Sequence, residues 1–228
     1  MAAMSRKSKT EIEYPTGDGK PLAETGFHVE VILYLYQALK DRYAGVSDVL
    51  VSANNFFYYE EGNPKAVVSP DVYVVKGVPS KPLRDYYLLW KEGKVPSLVV
   101  EVTSSSTRRQ DVKKKELYAR LGVPEYFMFD PEGDYLKPPL QGFRLLKGEY
   151  LSIPPAADGS VTSRTTGLVF RPEGDWVRLV DAATGEPLPT TDEWREKADQ
   201  EAEARRKAEA RAREFEEEIA RLRRQSGS

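Results

Sequence analysis

A chain of 228 residues, 40% of them hydrophobic, has room for one ordinary domain and an appendage. It contains no cysteine and one histidine. That excludes disulfides, thiolate-bound zinc and histidine-rich metal sites, and leaves any metal to oxygen ligands, which favours magnesium, manganese or calcium. The formal net charge of −2 gives no global sign of nucleic-acid binding and leaves a local basic groove open.

Residues 1–20 are polar and close on the turn signal Gly17-Asp18-Gly19, which reads as an N-terminal arm. The first residues lack the apolar centre of a signal peptide, and no apolar run approaches the ~18 residues of a membrane helix. A cytoplasmic location is the expectation. Residues 24–43 follow a helical pattern, with Val29, Ile32, Leu33, Tyr36, Leu39 and Tyr43 as the expected buried stripe, Thr25 as N-cap and His28 in the first turn. Residues 49–59 read as a strand, 61–64 as a turn, and 66–75 as a returning strand that carries Pro70-Asp71. Together these make a hairpin. The proline-rich stretch 76–96 reads as a loop with a short helix at 83–92.

Residues 96–131 are the organising segment. An apolar run, Leu98–Val102, is interrupted by Glu101. A Ser/Thr-rich turn, a charged helical pattern, a Gly122-Val123-Pro124 break and a second apolar run at 126–129 follow. Strand, helix and strand at this spacing form a βαβ unit with parallel, buried strands covered on both faces by helices. Further strands at 142–151, 166–171 and 176–181 predict a C-terminal antiparallel extension. From residue 191 the composition turns to Ala, Glu, Arg and Lys without Gly or Pro up to residue 224, with Asp192 as a cap. A heptad seam fits there, from Trp194 and Ala198 through Glu201, Arg205, Ala208 and Ala212 to Phe215, Ile219 and Leu222. Two seam positions are charged and three are alanine, so the reading is open between a solvated helix laced by ion pairs and a weak self-associating coiled coil. The expected architecture is α/β (α+β), a mixed sheet flanked by helices, with an arm over 1–20, a domain over 21–190 and a helical tail over 191–228.

Three residues carry chemistry. Glu101 lies in a strand with apolar residues on both faces, where an ionised carboxylate needs a partner. Asp71 opens a strand and shares a face with Tyr73 and Val75, although a Pro-Asp pair also serves simple turns. Lys113, Lys114 and Lys115 look like one solvated patch, but at ~100° per residue only Lys114 falls on the face of Leu117, Tyr118 and Leu121. Lys113 and Lys115 are expected to point to solvent. Lys114 is then either a snorkelling lysine at the core edge or an ammonium aimed at Glu101. Two carboxylates and a lysine in one pocket suit a divalent cation and an attacking water, the chemistry of phosphodiester hydrolysis.

Pro70-Asp71, the run from Leu98 through Glu101 to Ser106, and Asp111, Tyr118 and Leu121-Gly-Val-Pro-Glu-Tyr-Phe-Met-Phe-Asp-Pro resemble the Uma-type restriction-endonuclease-like family, formerly a domain of unknown function, of the PD-(D/E)xK nuclease superfamily. The resemblance runs from about residue 14 to 143. It implies a restriction-endonuclease-like fold and a magnesium- or manganese-dependent endonuclease acting on DNA, with Asp71 and Glu101 as metal-binding acids and Lys114 as the catalytic lysine. The lysine usual two places after the glutamate is replaced by Thr103 and corresponds to one on the following helix. A segment one residue short between Asp111 and Tyr118 leaves Lys115 as the alternative. The superfamily's additional glutamate matches Glu24, with Glu30 as the alternative. Ser105, Arg108 and Arg109 at the helix start are the candidate phosphate contacts. A catalytically inactive nucleic-acid-binding or assembly module of the same fold is the competing reading, and a homo-oligomer is the expected assembly.

Overall fold

The computed structural model describes residues 14–15, 26–104 and 107–226. The chain separates into two compact units, Met1–Leu188 and Pro189–Ser228.

The first unit is built on a mixed sheet. Helix α1 (Gly26–Arg42) precedes strands β1 (Val49–Ala53), β2 (Phe56–Tyr58), β3 (Val67–Val68), β4 (Val72–Lys76) and β5 (Tyr86–Leu88). The short helix α2 (Leu89–Glu92), strand β6 (Leu98–Val102), helix α3 (Arg108–Leu121) and strand β7 (Glu125–Phe129) follow. Then come β8 (Leu140–Leu146), β9 (Glu149–Ile153), β10 (Val161–Ser163), β11 (Leu168–Glu173) and β12 (Trp176–Asp181). The six-stranded sheet runs β1-β4-β6-β7-β8-β9; β10-β11-β12 and β3-β2-β5 form two smaller sheets. β6 and β7 are parallel, joined by α3 as the βαβ unit, and every other pairing in the six-stranded sheet is antiparallel.

Alternation along the strands divides the interior into two cores. Val72, Val74, Leu98, Val100, Phe127 and Phe129 pack with α1 and with the β10-β11-β12 sheet. Tyr73, Val75, Val99, Tyr126 and Met128 face the other way, toward Tyr118 of α3 and the aromatic residues Phe57 and Tyr87. α3 ends on Gly122 at φ 84°, a left-handed C-cap that β-carbon-bearing residues avoid.

Three local expectations are corrected. The strand read over 49–59 breaks at Asn54 (φ 50°), so the hairpin with 66–75 is split between the large sheet and the β3-β2-β5 sheet. The buried face of α1 is His28, Val31, Ile32, Tyr34, Leu35, Ala38 and Leu39, while Val29 and Leu33 are exposed. In 83–92 only the end is helical, because residues 86–88 pair in parallel with β2. The antiparallel C-terminal extension is present and divides in two: β8 and β9 continue the large sheet, and β10 to β12 form a separate sheet packed against it. The 142–151 run is itself a hairpin, turned by Lys147 and Gly148 at φ 52° and 87°.

The second unit holds α4 (Thr191–Ser226). Its start is not capped by Asp192. The Thr190 hydroxyl accepts from the Glu193 amide at 3.2 Å and the Glu193 carboxylate accepts from the Thr190 amide at 2.7 Å, a capping box. Ion pairs three and four residues apart, such as Arg195–Asp192 and Arg205–Glu209, lie along its surface.

Candidate active site

The site forms where β4, β6 and α3 meet. The β4–β6 ladder pairs Val72 with Val100 and Tyr73 with Val99. Continued by one pair, that register sets Asp71 opposite Glu101, on the face that carries Tyr73 and Val99. Directly opposed residues of an antiparallel pair have β-carbons ~5 Å apart. Asp71 is further fixed by its Oδ2, which accepts the Val102 amide at 2.8 Å.

Glu101 is 1% exposed, and both its oxygens are engaged. Lys114 Nζ donates to Oε2 at 2.7 Å and the Tyr118 hydroxyl donates to Oε1 at 2.9 Å. Both donors come from one face of α3, four residues apart, so the helix that begins after β6 folds back to neutralise the strand that launched it. Lys115 leaves that face. Its Nζ sits 3.3 Å from the centroid of the Phe143 ring, and burial lowers its pKa. It is half-buried against an aromatic face rather than solvated as the helical phase suggested. Lys113 is exposed.

Burial alone would lower the Lys114 pKa. The carboxylates of Glu101, Asp71 and Asp111 outweigh that effect, and the net shift is upward. Lys114 is therefore an ammonium at neutral pH. Tyr118 is raised well above its ordinary value by burial and then by Glu101, so its hydroxyl stays protonated and donates.

A second network, whose members the sequence named in part without linking them, ties the start of α3 to the end of β6. Asp111 is buried in the first turn of α3 and its Oδ2 accepts from the hydroxyls of Thr103, Thr107 (3.0 Å) and Tyr135 (2.8 Å). Thr103 stands where the lysine two places after the glutamate would be, and its carbonyl lies 3.2 Å from His28 Nε2. The single histidine is thus buried between α1 and the end of β6. Asp111 precedes Lys114 by one helical turn and Tyr118 follows it by another. That spacing was a usable signal in the sequence; Tyr135, in a connecting loop, offered none.

Glu24 and Ser105 lie outside the described residues. Glu30, the alternative to Glu24, is exposed on α1. Arg108 and Arg109 are exposed at the start of α3, with the Arg108 guanidinium 5.7 Å from the centroid of the Tyr135 ring. Thr107, the residue before the helix, makes no side-chain cap; its hydroxyl is taken up by Asp111 and by the Ser104 carbonyl.

Among the described residues no group of three or more His, Cys, Asp or Glu side chains is gathered for a metal ion. Asp71 and Glu101 supply a pair of hard oxygen donors at the rim of a buried strand. Magnesium sites commonly use one or two protein carboxylates, the rest of the shell being water and substrate phosphate. The donor set fits such an ion.

The family model described as "Uma2: Putative restriction endonuclease" matches residues 2–176. A solved structure described as a putative nuclease belonging to DUF820, from Anabaena variabilis ATCC 29413, aligns at 13% identity with a TM-score of 0.46, over 63% of this chain and 75% of that one. No curated protein matches the chain. Among the described residues no helix is long and apolar enough to cross a membrane.

Proposed function

The chain belongs to the Uma2 family of putative restriction endonucleases, and from that premise we propose that it is a divalent-metal-dependent endonuclease that hydrolyses phosphodiester bonds of DNA. The observation that carries the reading is the convergence of Asp71, Glu101 and the Lys114 ammonium at one rim of the sheet. Asp71 and Glu101 would hold magnesium or manganese, with Glu24 as a further acid. Bound there, the ion would supply Lewis acidity toward a phosphoryl oxygen and lower the pKa of a water.

The chain's own residues do the rest. Lys114, held beside Glu101, would place positive charge where a phosphorane-like oxygen gains negative charge and would orient the attacking water. Tyr118 fixes the Glu101 carboxylate from the buried side. Asp111 holds the first turn of α3 against the end of β6, which sets the position of Lys114 one turn later. Arg108 and Arg109 stand at the start of α3, where their side chains would meet phosphate oxygens.

The test is cleavage of plasmid and linear DNA with manganese by wild type, Asp71→Ala and Lys114→Ala. Wild type cleaves, and each substitution lowers the rate by at least about 100-fold. Cleavage that survives both substitutions would overturn the assignment. One observation favours a second reading, a binding or assembly module without catalysis: both Glu101 oxygens already have donors within the protein. Calorimetric titration with manganese separates the two, since binding that disappears in Asp71→Ala is required by the first.

A further inference from the structure

We infer that α4 is the dimerisation element of this protein and that it pairs with a second copy in antiparallel orientation, about a two-fold axis between Arg206 and Lys207. The inference is independent of what the site at Glu101 does.

The helix carries its large apolar side chains on one seam, and all of them are exposed: Trp194, Phe215, Ile219 and Leu222. The seam repeats every four and three residues from Trp194 to Leu222, with Trp194, Glu201, Ala208, Phe215 and Leu222 at d and Ala198, Arg205, Ala212 and Ile219 at a. A seam of this period is matched by another helix of the same period, and the second copy of this chain is such a helix.

Orientation follows from the two charged seam positions. In a parallel, in-register pair every seam residue meets its own copy, so Glu201 would face Glu201 and Arg205 would face Arg205 in the interface. The antiparallel register about Arg206 and Lys207 removes both conflicts. Glu201 then lies against Ala212 and Arg205 against Ala208, where a small neighbour leaves room for a long side chain to reach solvent. The apolar residues find complementary sizes: Trp194 meets Ile219 and Ala198 meets Phe215. This register also overlaps the helix from 191 to 222, all but its last turn, and it is isologous, as a two-fold dimer requires.

The flanking charges agree. In an antiparallel pair the residues beside the seam meet their own kind, e with e and g with g. The register sets Lys197 against Glu218 and Arg195 against Glu216, each twice by symmetry. The remaining flank pairs, Ala202 with Glu209 and Ala204 with Arg211, contain no like charges.

The full-length chain is the material for the test. Wild type sediments as a dimer at micromolar concentration; a monomer under those conditions would overturn the inference. Because the chain has no cysteine, orientation can be read by cross-linking. Glu201→Cys/Ala212→Cys forms a covalent dimer under mild oxidation, and Ala212→Cys alone does not. Self-cross-linking of Ala212→Cys would show the parallel arrangement and overturn the antiparallel one. Lys197→Glu and Glu218→Lys each weaken the dimer roughly tenfold, two attractive pairs having become repulsive, and their combination restores it. Circular dichroism confirms that the helix is retained in every variant. A double variant no tighter than the singles would also overturn the register.

Discussion

Glu101 and Lys114 each make the other's position tolerable. A carboxylate 1% exposed loses its compensating charge when the lysine is removed, and breaking such a buried pair costs ~3–5 kcal/mol. The Lys114 side chain keeps 20% of its exposure, and water can partly replace it. Lys114→Met should therefore cost less, about 2–3 kcal/mol. Glu101→Gln in the same chain removes the stranded charge, so the double variant should recover on the order of 1–2 kcal/mol relative to additivity. Urea unfolding of the four species near pH 7 measures this, and additive losses would mean the two groups do not support each other. The pH choice follows from the sign. A raised lysine pKa contributes stability that is fully present below 10.5, its unfolded value, and is lost only as pH rises through the folded value. Lys114 was legible in the sequence because helical phase alone separates it from its neighbours. The Lys115 contact with Phe143 was not, because it depends on β8, which lies far along the chain. Asp111 was visible as a residue but not as a hub, since all three of its partners sit outside its own helix.

At the level of elements, the βαβ unit was readable because each part has a distinct period and clear punctuation. The phase of α1 was not. Between Phe27 and Leu39 apolar residues occupy most positions, so more than one stripe satisfies a spacing of three and four. The sheet beneath it selects the face with Val31, Leu35 and Ala38. The junction of the large sheet with β10 was hidden for a similar reason. Gly142 of β8 lets them approach, since a β-carbon there would lie 2.5 Å from Val161 Cγ1. The same junction is fastened by Glu125, buried at the start of β7. Its carboxylate accepts from the Arg144 guanidinium, the Ser163 and Thr165 hydroxyls and the Arg164 and Thr165 amides. Burial would raise its pKa, but these donors prevail and lower it. A depressed carboxylate contributes stability present above its unfolded value of 4.5 and lost as pH falls through the folded value. Glu125→Gln should be less stable than wild type at pH 7, and the difference should shrink as the medium is acidified below 4.5. Thermal melts across that range check it. A difference constant from pH 7 to pH 3 would remove the charge from the explanation.

For the molecule as a whole, the net charge of −2 bears on the proposed action on DNA. No global positive field draws a polyanion in, so attraction must come from a few local cations. Arg108 and Arg109, both exposed at the start of α3 and lying between Glu101 and Lys114 in sequence, are the candidate cations. Each phosphate neutralised on duplex DNA adds about −0.9 to the slope of log affinity against log salt. Two such contacts give a slope of about −1.8, and Arg108→Ala/Arg109→Ala should bring it close to zero while leaving the Glu101–Lys114 pair intact. Fluorescence anisotropy with a labelled duplex, titrated with salt in the absence of divalent cations so that binding is read apart from cleavage, gives both slopes. A wild-type slope steeper than about −5 would mean that a larger basic surface, not the start of α3, holds the nucleic acid. A shallow slope that the double substitution leaves unchanged would move the phosphate contacts to other residues. A shallow slope abolished by it ties binding to the same helix that delivers Lys114, so that one element both meets the backbone and places the charge beside the scissile bond.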